Sequence, residues 1–178
     1  MQAELIYNPS GGQVVVRYEL SNVISFLEHY GWSITLRETS KPAEATELAR
    51  HAVDRGARVV IAAGGDGTVN EVANALVGTD AALGVLPVGT TNTWALQMGI
   101  PALNPVLMGT QAARLIAGLE ERLAHPLPAN YYRKVLLNAA RVLVEGHTVT
   151  VDVGELSGRY FLISAGIGLE EQSWKACR

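Results

Sequence analysis

The segment Gly64-Gly65-Asp66-Gly67-Thr68-Val69-Asn70-Glu71-Val72 constrains the fold of this chain more than any other. The apolar run Val59-Val60-Ile61-Ala62-Ala63 leads into it, and Val69, Val72, Ala73 and Leu76 follow at helical spacing. The reading is strand, glycine turn, helix. Such a turn aims free backbone N–H groups and a helix N-terminus at one point, which suits a phosphate. Thr68 and Glu71 have the spacing of a capping box, which places the helix start at Thr68, and Gly78 stands where a closing glycine belongs. Asn70 and Asn74, four apart, share a polar face. A plain structural turn needs no carboxylate, yet this one carries Asp66. The pattern points to a nucleotide or phosphate binder of the phosphotransferase kind.

Other phosphate motifs are missing. No G-x-x-x-x-G-K-[ST] run exists, and Gly65-x-Gly67-x-x-Asn70 lacks the third glycine of the dinucleotide fingerprint. Gly166-Ile167-Gly168 is weak evidence of any site. A net charge of -3 argues against nucleic acid as a partner, because a basic stripe would be expected. Cys177 stands alone, so neither an internal disulfide nor a cysteine metal cluster is available. His29, His51, His125 and His147 are scattered and read as structural. No apolar run approaches the ~20 residues of a membrane span. The first residues have no basic n-region and enter a strand at once. The expectation is a cytoplasmic protein without a transmembrane segment, peripheral at a membrane at most.

Along the chain, Leu5-Ile6-Tyr7 reads as a strand ending at the polar turn Asn8-Pro9-Ser10-Gly11-Gly12. A helix follows with Val16, Leu20, Val23, Ile24 and Leu27 inward, closed by Gly31. Trp32 to Leu36 is a second strand. Thr39 and Ser40 precede Pro42, a first-turn residue of a helix that buries Ala45, Leu48, Ala49, Ala52 and Val53 and stops at Gly56. After the central strand and turn, Ala82 to Val88 is a fourth strand. It runs into Gly89-Thr90-Thr91-Asn92 and a short helix around Trp94. This alternation predicts an α/β fold, a parallel sheet with helices on both faces in three layers. In such sheets ligands bind beyond the carboxyl ends of the strands. Asn8 to Gly12, Thr39, Gly64 to Thr68 and Gly89 to Asn92 all fall at that edge.

After Pro101 the pattern changes. Val106 to Leu119 and Tyr132 to Val144 read as helices flanking a proline-rich connector, His125 to Asn130. Thr148 to Val153 and Tyr160 to Ala165 read as antiparallel strands joined by Gly154 to Gly158, the start of a β-rich second domain. The domain division is residues 1–125 and 126–178. Val149, Val151, Phe161 and Ile163 would leave an apolar edge on these strands, which predicts association, with a homo-oligomer as one form of it, or poor solubility. Trp32, Trp94 and Trp174 read as packing residues. Arg133 and Lys134 are candidates to meet anionic headgroups.

These motifs resemble the diacylglycerol kinase catalytic-domain family, which includes bacterial lipid kinases and sphingosine kinases and shares a superfamily with NAD kinase. Asn8 to Gly12 is similar to the family's Asn-Pro-x-x-Gly turn. Gly64 to Asn74 follows its G-G-D-G-T-x-N-E-V-x-N pattern, and Leu83 to Asn92 its strand-then-G-T-x-N block. Tyr160 to Gly168 resembles the strand that opens its C-terminal domain. The resemblance implies ATP-dependent phosphorylation of a lipid hydroxyl at a membrane surface, with Mg²⁺. It assigns nucleotide binding to Asn8, Ser10, Gly11, Thr39, Gly64, Gly65, Asp66, Gly67, Thr68, Val69, Asn70, Glu71, Gly89, Thr90, Thr91 and Asn92. Asp66 is also the implied catalytic and metal residue.

The chain departs from the family at Asn92-Thr93, where Asn-Asp is frequent, and at Glu170, where Asp is frequent. The family's β-rich domain supplies a late acidic residue, and this chain stops at Arg178, soon after that domain would begin. The expectation is an incomplete kinase whose general base lies outside these residues. The alternatives are a nucleotide-binding module without turnover and another NAD kinase-like phosphotransferase.

Overall fold

The computed structural model describes residues 1–9, 14–102 and 129–164. Four strands, β1 (Gln2–Tyr7), β2 (Ser33–Glu38), β3 (Val59–Gly64) and β4 (Ala82–Pro87), form one parallel sheet in the order β2-β1-β3-β4. Alternation along the strands divides the core in two. Leu5, Tyr7, Ile61 and Ala63 face one side, and Ile6, Val60 and Ala62 face the other.

The first side is covered by α1 (Val14–His29) through Leu20, Val23 and Leu27, and by α5 (Ala129–Glu145) through Leu136, Ala139 and Ala140. The second is covered by α2 (Glu44–Asp54), α3 (Asp66–Leu76) and the short α4 (Thr93–Gln97). Helices on both faces, as the sequence predicts, bury the parallel sheet. Gly31, Gly56 and Gly78 all have positive φ just past a helix, the conformation that glycine adopts without strain.

Two ion pairs tie layers together. Glu4, 3% exposed on β1, takes a two-pronged bond from Arg55 beyond α2 (2.8 and 2.7 Å), with Arg37 at 3.5 Å. Glu19 on α1 is likewise buried and accepts from Arg133 on α5 and from Asn22. Arg133 thus joins two helices, which supplies a structural partner for a side chain that the sequence offers only as a candidate for anionic headgroups.

Several sequence expectations are corrected. The helix of residues 129–145, read over Tyr132 to Val144 and placed by the expected division beyond position 125, packs into the same core as α1 and the sheet. α2 begins at Glu44, two residues after Pro42, because the Glu44 carboxylate reaches back to the N–H groups of Ser40 and Lys41 and the Ser40 hydroxyl. The second-domain strands are β5 (Gly154–Leu156) and β6 (Arg159–Phe161), antiparallel, so residues expected in a loop are themselves paired. Ser157 and Gly158 both have positive φ (51° and 74°), which allows a two-residue turn of the type that fits strand twist. Residues 148–153, expected as a strand, have no strand partner among the described residues. The Phe161 ring lies over Gly154, leaving no room for a side chain there. The expected helix of residues 106–119, most of the proline-rich connector and Trp174 lie outside the described residues.

Candidate phosphate-facing site

The sheet order places a change of direction between β1 and β3. The chain runs outward from β1 to β2 and then returns to add β3 on the other side of β1. The crevice beyond the carboxyl ends of such a pair is where open α/β sheets bind ligands. Backbone bonds carry the ladder one step past the strands and hold the turns in register. Asn8 N–H donates to the Ala63 carbonyl, Thr39 N–H to Tyr7, and Val88 N–H to Gly64. The four turns expected at one edge are therefore gathered there, except that Ser10, Gly11 and Gly12 lie outside the described residues.

Across the crevice, Asn8 Nδ2 donates to the Thr68 hydroxyl at 3.2 Å. Thr68 is buried in the first turn of α3, which begins at Asp66 with Gly65 as its N-cap and no capping side chain. The expected capping box is absent: the helix starts two residues earlier, and the Thr68 oxygen is used on Asn8 instead. Three first-turn N–H groups, of Asp66, Gly67 and Thr68, lie too early in the helix for an intrahelical acceptor. They carry the positive end of the helix dipole.

The glycines of the two turns have different reasons. A Cβ at Gly89 would stand 2.4 Å from the Gly65 Cα, so the turns after β3 and β4 touch backbone to backbone. A Cβ at Gly64 would meet Thr68 at the same distance. Gly67 is exposed, its φ is not positive, and a Cβ there would meet nothing within 4 Å among the described residues. Glycine in a helix weakens it by about 0.5–1 kcal/mol relative to alanine. Among the described residues, neither packing nor backbone geometry requires glycine at this position.

Asp66 ties the two turns from its side chain. Its Oδ2 accepts from Thr93 N–H and its Oδ1 from Trp94 N–H, both at 3.0 Å, so it caps α4. Asn92, at the left-handed N-cap of α4 (φ 52°), closes the second turn by bonding both the N–H and the carbonyl of Gly89. Thr90 and Thr91 are exposed at its tip. Burial pushes the nearby Tyr7 phenol up, with Glu38 adding to the shift.

No three His, Cys, Asp or Glu side chains gather among the described residues, so a protein-only metal cage is absent there. A Mg²⁺ ion that keeps its waters and shares phosphate oxygens needs only one or two carboxylates. Asp66 fits that lesser role: each oxygen accepts one backbone N–H bond and has a second lone pair.

A profile of the diacylglycerol kinase catalytic domain matches residues 2–125. The chain belongs to the diacylglycerol kinase catalytic-domain family. It is 33% identical over 169 residues to a diacylglycerol kinase of Bacillus subtilis (strain 168), covering 94% of this chain and 46% of that protein. It is 30% identical over 177 residues to the diacylglycerol kinase of Staphylococcus aureus (strain JH9), covering 98% and 46%. The chain thus spans slightly under half the length of these relatives. A solved diacylglycerol kinase from Bacillus anthracis str. Sterne shares the fold with a TM-score of 0.65 at 23% identity, covering 90% of this chain and 45% of that one.

Within this family member, the assigned residues divide by placement. Asn8, Gly64, Gly65, Asp66, Gly67, Thr68, Gly89 and Asn92 come together around the crevice. Val69 points into the core, 3% exposed. Asn70 turns to the β5–β6 hairpin: its Nδ2 donates to the Tyr160 carbonyl and its Oδ1 accepts from Leu162 N–H. The Glu71 carbonyl accepts the Thr46 hydroxyl, which pins α2 to α3. Sequence reasoning missed Asn74, whose side-chain amide grips Tyr160, although the Asn70/Asn74 pair was visible as a polar stripe. It also missed the use of Asp66 on α4. No helix among the described residues is long and apolar enough to cross a membrane.

Proposed function

We propose that this chain is the nucleotide-binding half of an ATP-dependent lipid kinase, which transfers the γ-phosphate of ATP to a lipid hydroxyl at a membrane surface. The observation that carries this reading is the exposed Gly67 at the uncapped start of α3, beside two glycine turns held backbone to backbone. Phosphoryl transfer depends on positioning and charge neutralisation more than on covalent chemistry. The first-turn N–H groups of α3 would face the phosphates, with Thr90 and Thr91 beside them. Mg²⁺, held through Asp66 and water, would neutralise phosphate charge. Thr68 and Asn8 fix the turn from behind, and Asn92 fixes its neighbour.

Calorimetric titration of the chain with MgATP tests the reading, with Gly67→Val alongside. The Cβ of a valine at this exposed position meets nothing within 4 Å among the described residues, and the side chain projects beside the first-turn N–H groups. The expected result is binding by the wild type and at least tenfold weaker binding by a variant with an unchanged circular dichroism spectrum. No binding by the folded wild type, or equal binding by the variant, overturns the assignment of this turn. Transfer of labelled phosphate from ATP to dioleoylglycerol in mixed micelles would show turnover by this chain itself, whereas binding without transfer is what a nucleotide-binding half alone would give.

A further inference from the structure

A helix has no backbone groups free along its side, so a strand lying against it finds no ladder to join. α3 meets β6 with side chains instead. Asn74 Nδ2 donates to the Tyr160 carbonyl at 2.7 Å and its Oδ1 accepts from Tyr160 N–H at 2.9 Å. One turn earlier, Asn70 bonds the same carbonyl at 3.3 Å and Leu162 N–H at 3.2 Å. Asparagine is the shortest side chain that carries a donor and an acceptor on one planar amide, as a peptide does. At i and i+4 the two amides lie one above the other on the helix.

The hairpin register explains why these strand positions are used. With a two-residue turn, Leu156 and Arg159 are the closing pair, and Gly154 faces Phe161. Arg159 and Phe161 direct their backbone groups to β5, so Tyr160 and Leu162 direct theirs to the opposite edge. That edge would otherwise be an open template for another strand.

We infer that Asn70 and Asn74 form a joint that couples the hairpin to the phosphate-facing turn, with Asn74 as its dedicated positioning residue. The residues of the joint and the uncapped turn, Asp66 to Thr68, share one eleven-residue helix. Whatever steadies the start of α3 steadies the seat of β6, and the coupling is reciprocal. What the turn holds rests on the function proposed above; the joint itself does not.

Backbone amide hydrogen exchange by NMR on the ¹⁵N-labelled chain tests this, with Asn74→Leu and Asn74→Gln. Leucine keeps helix propensity and approximate size but removes both hydrogen-bonding ends. The Tyr160 amide is expected to exchange about tenfold faster in Asn74→Leu, with Phe161 changing less and glutamine restoring part of the protection. Saturating MgATP is expected to slow Tyr160 exchange at least twofold in the wild type. In Asn74→Leu that response is lost while MgATP still binds.

Unchanged Tyr160 exchange in a folded Asn74→Leu overturns the joint. MgATP binding that leaves wild-type Tyr160 exchange unaltered overturns the coupling. If MgATP does not bind at all, the nucleotide reading and the coupling to it fall together, while the exchange of the variants still decides the joint. Should Asn74→Leu fail to fold, slowed exchange of both Asn74 Nδ2 protons in the wild type supports the joint, because one of them is given to the Asn70 carbonyl within the helix, and free exchange of either overturns it.

Discussion

Asp66 and Trp94 stand 28 positions apart, and the carboxylate of the first accepts the backbone N–H of the second at 3.0 Å. With the matching bond from Thr93, one side chain at the start of α3 caps α4 and fixes the spacing of two glycine turns. A residue expected for metal and catalysis thus also has a fold to hold. Asp66→Ala should therefore weaken the protein by about 1–2 kcal/mol, as loss of a helix cap does. Urea denaturation measures this directly. An unchanged midpoint with unchanged slope would show that α4 needs no cap.

The glycines give a sharper contrast. Gly89→Ala forces a Cβ to 2.4 Å from Gly65 Cα and 2.9 Å from its nitrogen, both backbone atoms. It should cost about 1–3 kcal/mol through overpacking. The Cβ of Gly67→Ala meets no atom within 4 Å among the described residues and the helix gains propensity, so the change should be neutral or stabilising by up to about 1 kcal/mol. Thermal melting of both variants checks the order, which reverses if Gly67 carries a steric role inside the chain.

Acid sensitivity should trace in part to Glu4 and Glu19. The Arg55 guanidinium beside Glu4 holds its carboxyl below the ordinary value of 4.5, against the opposing effect of burial. Arg133 does the same for Glu19, with Asn22 assisting. A carboxyl depressed in the folded state stabilises above its unfolded pKa, and that stability is lost as pH falls through the folded one. Arg55→Ala should lower stability at pH 7, because it strips the chief partner from a buried carboxylate. Its loss of stability on acidification should be shallower than that of the wild type. Denaturation midpoints from pH 7 down to pH 3 measure both; parallel curves would count against the pair.

The sheet and its helices were legible because each apolar pattern keeps one period. Val59 to Ala63 reads as a buried strand, and Leu20, Val23 and Leu27 as a helix face, from sequence alone. The convergence of the turns followed from topology. The parts that escaped depend on partners distant in sequence. Thr68 matches a capping box, but Asn8, sixty positions away, engages its hydroxyl. Asn70 looked like a ligand because it lies in the glycine motif, yet its amide faces a strand ninety positions later. The hairpin boundaries shifted because Ser157, not a glycine, takes the first positive φ of the turn.

The grip of α3 on β6 also gives the small sheet a direction. Backbone groups of Tyr160 and Leu162 that would recruit another strand are already spent on asparagine amides. Strand addition at that margin would have to strip β6 from its helix. Any sheet built upon this hairpin therefore extends from the β5 side, away from the crevice helix, and α3 acts as its stop.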